Sequence, residues 1–132
     1  MEPARLDQIP LFADLSAEER AEVAASLREV TVDAGTALAT QGEHAYELFV
    51  IEEGDAEVRK DGEVIWTLGA GDVFGEIGLL ATGTRTASVV ATSPMRLVAM
   101  FSREYKRLEN HMPGLAKSLR ETMAQRVADS SF

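Results

Sequence analysis

A glycine-rich segment, residues 69–90, carries the residues best suited to bind a small anion. It reads GAGDVFGEIGLLATGTRTASVV and contains Arg85, the only basic side chain between Lys60 and Arg96. Residues 76–80 can form one short helical turn, whose unpaired N–H groups attract an anion. Because a guanidinium gives bidentate hydrogen bonds to phosphate, Arg85 can complete such an anion site.

Gly75 and Glu76 stand at the start of this turn. Glycine permits close backbone approach, and an ionised carboxylate only accepts hydrogen bonds, so Glu76 suits a sugar hydroxyl rather than a phosphate. An anion site beside a hydroxyl acceptor predicts a ribose phosphate. The alternative is structural: Glu76 as a first-turn acid favoured by the helix dipole, and Arg85 paired with one of many surface acids.

Two kinds of pattern surround this segment. Ser16 and Glu19 have the spacing of a capping box, which predicts a helix over residues 16–27, and the preceding IPLFADL predicts a short apolar hook. Residues 30–101 contain short β-type runs separated by glycines, the pattern of an all-β sandwich or barrel. The segment with the candidate anion site therefore lies inside a β-rich region.

Within that region, YELFVIEE predicts a central strand, and Asp61 with Gly62 predicts a tight hairpin turn. In the second strand of the hairpin apolar residues alternate, which predicts one buried face formed by Val64, Trp66 and Leu68. After the strands, Ser102 is expected to cap a helix that runs to about residue 110. A second helix is expected to start at Pro113 and to present one apolar stripe: Leu115, Leu119, Met123 and Val127.

Composition limits the function classes. The 132 residues suit one domain, and without cysteine the chain has neither disulfides nor thiolate metal sites, which is compatible with a cytoplasmic protein. His44 and His111 lie far apart and predict no metal site. No apolar run is long enough to span a bilayer, so no direct membrane insertion is expected.

Charge argues against nucleic acid as a partner. The net charge is −9, whereas non-specific nucleic-acid binding depends on many lysine and arginine contacts to phosphates. Basic residues are also uneven along the chain: residues 1–93 hold six of the 13, and residues 94–126 hold seven. This distribution leaves Arg85 as the one cation of the glycine-rich segment.

The string FGEIGLLATGTRTASV resembles the phosphate-binding cassette of the cyclic nucleotide-binding domain family, which includes catabolite regulators, protein kinase A regulatory subunits and cyclic nucleotide-gated channels. PLFADLS resembles the family's helical hook, and QGEHAYELFVIEEG resembles its paired-glycine strands. The resemblance implies a single domain, residues 1–132, of the α+β class and mainly β. An antiparallel β-roll of the jelly-roll type (30–101, with the cassette at 74–88) would lie between an N-terminal helical hook (1–29) and two C-terminal helices (102–128).

The resemblance also implies roles for individual residues. Gly75 and Glu76 would bind the ribose, Arg85 the cyclic phosphate, and Thr86 and Ala87 match the small residues beside the arginine. The implied ligand-binding set is Phe74, Gly75, Glu76, Ile77, Gly78, Arg85, Thr86 and Ala87. The last helix would be a lid over the purine, with Leu119, Arg120 and Met123 as its candidate contacts. Thr84 replaces a proline that is frequent before the family's arginine, and Gly78 replaces a frequent alanine.

The implied function is a regulatory sensor that binds a cyclic nucleotide, cyclic AMP first and cyclic GMP as the alternative, with no cofactor, metal or catalytic activity. Thr86 does not decide between the two nucleotides. The partner would be an effector domain or protein outside this chain. Another alternative is an interaction module that keeps the fold without a nucleotide ligand. We also expect Arg85 to face solvent in the cleft, so that its removal would leave the fold intact.

Overall fold

The structure, a computed structural model, describes residues 3–75 and 83–130, with the side chains of residues 10 and 123–130 left out. Within these residues two short 3₁₀ helices precede three α-helices and eight strands. The 3₁₀ helices are Pro3–Gln8 and Pro10–Phe12, and the α-helices are α1 Ala17–Ser26, α2 Ser102–His111 and α3 Pro113–Ser130. The strands are β1 Arg28–Val32, β2 Ala37–Ala39, β3 Glu47–Glu53, β4 Ala56–Lys60, β5 Glu63–Leu68, β6 Val73–Phe74, β7 Ser88–Ala91 and β8 Met95–Phe101.

The strands form two four-stranded antiparallel sheets, in the orders β1-β8-β3-β6 and β2-β7-β4-β5. The predicted fold class, a mainly β antiparallel roll with helices at both ends, is therefore confirmed. None of the described helices is both long enough and apolar enough to cross a membrane.

Strand β3 is central, as predicted, and explains how the core is divided. Phe49 and Ile51 point into an apolar cluster between the two sheets, whereas Leu48 and Val50 point into a second cluster under the helices. Successive side chains of a strand face opposite sides, so a continuous apolar run is required where both sides are covered. Both sides of β3 are therefore buried, and the candidate site lies beside its first residue.

The N-terminal predictions are also confirmed. Ser16 Oγ accepts a hydrogen bond from the Glu19 N–H, and Glu19 accepts one from the Ser16 N–H, which completes the capping box of α1. The predicted hook, residues 9–15, contains the second 3₁₀ helix and buries Ile9, Leu11 and Phe12 in the helix-side cluster.

For the β4–β5 hairpin, the predicted turn is confirmed, but the prediction that one face of β5 is buried was wrong. Asp61 and Gly62 both have positive φ, 53° and 84°, as a two-residue hairpin turn of type I′ requires. Of the alternating residues, however, Leu68 is buried while Val64 and Trp66 are 51% and 44% exposed. Two features explain the difference: β5 is an edge strand, and its pairing with β4 shifts register after Trp66, so that Val64 pairs with Arg59 instead of continuing the alternation.

The C-terminal helices begin close to where the sequence predicts. Pro113 is the first residue of α3, but α2 is capped by Phe101, and Ser102 is already helical. Ser102 is the first helical residue rather than the cap, and its N–H donates to the carbonyl of Tyr46, the residue before β3. The first part of the predicted stripe, Leu115 and Leu119, is buried in the helix-side cluster. The side chains of Met123 and Val127 lie outside the described residues.

Candidate functional site

Arg85 is a buried cation with a defined partner. Its side chain is 5% exposed, and its Nη2 lies 2.9 Å from Glu47 Oε1 at the start of β3. A guanidinium withdrawn from water needs such a counter-charge, because burying an unpaired charge is costly. The expectation of a solvent-facing Arg85 was therefore wrong: the sequence does not reveal that β3 supplies a carboxylate to it.

The backbone around Arg85 is held by a short antiparallel contact with residues 42–45. The Arg85 N–H donates to the Glu43 carbonyl at 2.8 Å, and the Arg85 carbonyl accepts from the Gly42 N–H at 2.9 Å. The Ala45 N–H donates to the Gly83 carbonyl at 3.0 Å, and His44 forms a β-bridge with Thr84. These backbone hydrogen bonds fix the main chain at Arg85, and the ion pair with Glu47 fixes its guanidinium.

Gly75 lies against the same guanidinium. Its φ is +88°, and a Cβ built on it would come within 2.5 Å of Arg85 Nη1 and 3.0 Å of the Glu47 carbonyl. Any side chain would thus be strained by the backbone and would also collide with Arg85. The Gly75 carbonyl accepts a long hydrogen bond, 3.4 Å, from Nη1. Glycine is required here because the chain passes directly beside the cation.

Two phenylalanines lie on the inner side of the site. Phe49 and Phe74 stack with ring centroids 4.9 Å apart and an interplanar angle of 20°, and the Arg85 guanidinium carbon is 6.0 Å from the Phe49 ring centroid. Offset aromatic pairs of this kind contribute beyond their buried area. The stacked rings form an apolar surface beside the guanidinium.

A cavity of about 380 Å³ opens beside Arg85. It is lined by β2, by the segment between β2 and β3, by the first residue of β3 and by Arg85: Ala37, Leu38, Ala39, Thr40, Gly42, Glu43, His44, Tyr46, Glu47 and Arg85. Its size is within the usual range for small-molecule sites. Among the described residues, no group of three or more histidine and acidic side chains could hold a metal ion.

The predicted site residues are distributed as follows. Arg85 lies in the cavity wall with Gly75 against it, Thr86 is half-buried, and Phe74 and Ala87 belong to the cluster between the sheets. Glu76, Ile77 and Gly78 lie outside the described residues.

The candidate lid residues do not line this cavity in the part of the chain that the structure describes. Leu119 is 5% exposed and packs in the helix-side cluster, where the Tyr105 hydroxyl donates to the Ala116 carbonyl at 3.2 Å. Arg120 is half exposed, with Nη1 at 4.0 Å from Glu109 Oε2. The Met123 side chain is not among those described. A role of these residues over a ligand stays a prediction.

Sequence reasoning missed the acidic and aromatic residues of the cavity. Glu47 carried the clearest signal, since it is a charged residue directly before the apolar run of β3. Glu43, His44 and Tyr46 come immediately before it. These residues are separated from Arg85 by about forty positions, so their proximity depends on the sheet pairing rather than on any local pattern.

Chemically, the site offers a fixed cation at the wall of an open cavity. A guanidinium has five N–H donors and matches the geometry of phosphate oxygens. The nearby Glu47 carboxylate neutralises the cation in the absence of a ligand, and an incoming anion would meet both charges.

Comparison with known proteins agrees with this geometry. The family model for the cyclic nucleotide-binding domain matches residues 29–111. A cAMP-dependent protein kinase regulatory subunit from Mycosarcoma maydis is 41% identical over 119 residues, which cover 83% of this chain and 23% of the relative. A cyclic nucleotide-gated potassium channel from Rhizobium etli is 30% identical over 118 residues, covering 89% of this chain and 33% of the channel.

The fold also matches a solved structure, cAMP-bound PfPKA-R (141–441), with a TM-score of 0.75 and 26% identity over 100% of this chain and 47% of the other. The chain spans about a quarter of the length of the regulatory subunit it matches. These relatives are regulatory subunits and channels rather than catalytic enzymes. Since the family model covers more than half of the 132 residues and the fold agrees, the chain belongs to the cyclic nucleotide-binding domain family.

Proposed function

We propose that this chain is a cyclic AMP sensor in which Arg85 binds the cyclic phosphate. The observation that carries the proposal is the buried guanidinium, fixed by Glu47 and by two backbone hydrogen bonds at the wall of a 380 Å³ cavity. A pre-positioned donor group binds an anion without having to lose its own freedom first. One singly charged phosphate is the anion that suits a single arginine.

The remaining roles in the proposal follow the family's cassette. Gly75 brings the backbone close to the ligand, Glu76 accepts a hydrogen bond from the ribose 2′-hydroxyl, and the residues from Ile77 to Gly78 and from Thr86 to Ala87 complete the pocket. A cycle that combines Glu76→Ala with 2′-deoxy cyclic AMP tests the assignment to Glu76. Overlapping losses of affinity support direct contact, and strictly additive losses contradict it.

Cyclic AMP is proposed ahead of cyclic GMP because two of the matched relatives are cAMP proteins by name, a cAMP-dependent kinase regulatory subunit and a cAMP-bound fragment. The whole chain, residues 1–132, forms one sensor domain in this proposal, with α3 as the element that passes the signal on. The effector is a further domain or protein, the setting is cytoplasmic, and neither nucleic acid nor a membrane interior is a partner.

One observation favours a second candidate, an interaction module without a nucleotide ligand. The Arg85 guanidinium already has a carboxylate partner at 2.9 Å, so the cation is satisfied in the absence of any ligand. In that case the ion pair would be purely structural, and nucleotides would have no effect on the domain.

Thermal unfolding in the presence of nucleotides separates the two candidates. A ligand that binds only the folded state at a hundred times its Kd raises the free energy of unfolding by about 2.7 kcal/mol. Cyclic AMP is expected to raise the melting temperature, cyclic GMP to raise it less, and 5′-AMP to have little effect because its phosphate is open and doubly charged. Equal melting temperatures with all three ligands and without any would favour the interaction module.

A further inference from the structure

Gln41 and Asp61 form a reciprocal pair of hydrogen bonds outside the cavity. Gln41 Nε2 donates to Asp61 Oδ1 at 3.0 Å, and the Asp61 N–H donates to Gln41 Oε1 at 2.9 Å. Gln41 follows β2 and lies between the cavity-lining residues Thr40 and Gly42, whereas Asp61 is the first residue of the β4–β5 turn. We call this pair the Gln41–Asp61 clip.

The clip spans one end of the sheet in which β7 lies between β2 and β4. Beneath it, the Gln41 N–H donates to the hydroxyl of Ser88, the first residue of β7. Arg85 stands three residues before Ser88 in the sequence. The clip thus joins the end of β2 to the β4–β5 turn, near the point where the Arg85 segment enters the sheet.

The identity of residue 61 is not explained by the turn alone. Its φ of 53° is in the left-handed region, which asparagine and glycine adopt at least as readily as aspartate. The carboxylate accepts a hydrogen bond from Gln41, the residue immediately before the segment 42–45. Residues of this segment in turn hold both the N–H and the carbonyl of Arg85.

We propose that Gln41 and Asp61 are positioning residues for the Arg85 site, and that the β4–β5 turn thereby controls affinity for the cyclic phosphate. The effect is indirect, because neither residue lines the cavity. Loss of the clip frees the start of segment 42–45, and the backbone that holds Arg85 becomes less well ordered. The part of this inference that concerns affinity rests on the proposed function.

The test exchanges the amide and the carboxylate of the clip between positions 41 and 61. In Gln41→Glu two carboxylates face each other and the side-chain bond is lost, while Asp61→Asn keeps an acceptor for Gln41 and a residue suited to positive φ. In the double variant Gln41→Glu with Asp61→Asn, the new amide donates to the new carboxylate. Gln41→Glu with Glu63→Gln is the charge control, since it has the same net charge as the double variant but cannot form the side-chain hydrogen bond of the clip.

The first readout needs no ligand. Amide hydrogen exchange of Gly42, Ala45 and Arg85, whose N–H groups hold the site together, is measured in the free protein. Exchange is expected to accelerate in Gln41→Glu and in the charge control, and to return to the wild-type rate in the double variant. Unchanged exchange in Gln41→Glu would overturn the inference whether or not the protein binds a nucleotide.

The second readout is the affinity for cyclic AMP, measured by calorimetry well below the melting temperature of each variant. One lost hydrogen bond at an exposed position is expected to weaken binding about threefold in Gln41→Glu and in the charge control. The double variant is expected to recover wild-type affinity. Accelerated exchange with unchanged affinity would overturn the proposed control of affinity, whereas absence of binding by the wild type would instead contradict the proposed function.

Discussion

Arg85 Nη2 and Glu47 Oε1 lie 2.9 Å apart and join the two sheets at the candidate site. Glu47 begins β3 of one sheet, and Arg85 comes shortly before β7 of the other. Because the arginine side chain is 5% exposed and the glutamate 22%, the charges are far better shielded from water than a surface ion pair. The ion pair therefore stabilises the free protein, and a ligand that enters the cavity meets both of its charges.

Glu47→Gln should destabilise the free protein by about 1–3 kcal/mol, because the Arg85 charge stays buried without its counter-charge while the glutamine amide oxygen can still accept a hydrogen bond. A cyclic phosphate supplies the missing negative charge, so the same variant should gain more stability from cyclic AMP than the wild type does. Urea unfolding with and without ligand measures both effects. Glu53→Gln is the matched control, since Glu53 is 69% exposed and its ion pair with Arg96 has little effect on stability. Similar losses in both variants would contradict a special role of Glu47.

Gly75→Ala and Gly83→Ala separate backbone strain from collision with Arg85. Both glycines have positive φ, +88° and +74°, so alanine costs about 1–2 kcal/mol at either position. At Gly75 the added Cβ also meets Arg85 Nη1, at 2.5 Å, whereas at Gly83 it meets no atom of the described residues within 4 Å. Unfolding should show the larger loss for Gly75→Ala, accompanied by weaker nucleotide binding. Equal effects on stability and binding would argue against close contact between Gly75 and the guanidinium.

The raised pKa of Tyr105 predicts that the free energy of unfolding falls at alkaline pH. Burial raises the pKa of its hydroxyl above the ordinary value of 10.0; the nearby Arg120 lowers this pKa and Glu109 raises it. In the unfolded chain the hydroxyl ionises first, so its contribution is fully present below pH 10 and is lost as the pH rises from there through the raised pKa. Tyr105→Phe should be less stable near neutral pH, because the Ala116 carbonyl loses its donor, and should lose less stability above pH 10. Parallel pH profiles of the two proteins would contradict the raised pKa.

Features set by neighbouring residues were predictable from the sequence. The capping box depends on Ser16 and Glu19, three residues apart, and the hairpin turn depends on the adjacent Asp61 and Gly62. The sequence also indicated Arg85 as a candidate anion-binding residue, because it is the sole basic residue between Lys60 and Arg96.

What the sequence could not predict depends on the packing of distant elements. The alternation in β5 is the same whether the strand is central or at an edge, so it did not reveal that Trp66 and Val64 are exposed. Glu47 lies 38 residues before Arg85, and only the pairing of β3 with β8 and β6 turns its side chain toward the site. The burial of Arg85 has the same origin.

Hydrogen exchange along α3 tests its proposed role as a lid. The first turns are already anchored, since Leu115, Ala116 and Leu119 are buried in the helix-side cluster. Deletion of the whole helix would expose this core, so exchange in the intact chain is the cleaner measurement. Cyclic AMP should slow exchange in the part of α3 that follows Leu119 and change it little before that residue. Identical exchange with and without ligand would mean that α3 is core packing only.

The central claim, that Arg85 binds the phosphate of a cyclic nucleotide, is tested most directly by calorimetric titration of cyclic AMP into the wild type, Arg85→Lys and Arg85→Ala. Charge-assisted hydrogen bonds contribute about 1.5–3 kcal/mol each, so Arg85→Ala should bind at least about tenfold more weakly. Arg85→Lys should fall between the two, because it keeps the charge and loses the bidentate geometry. Arg59→Ala is the control, since Arg59 pairs with Glu57 on its own strand, away from the cavity. Saturable binding by the wild type that weakens in this order is the predicted result; wild-type affinity in a folded Arg85→Ala variant, or no binding by the wild type, would contradict the account.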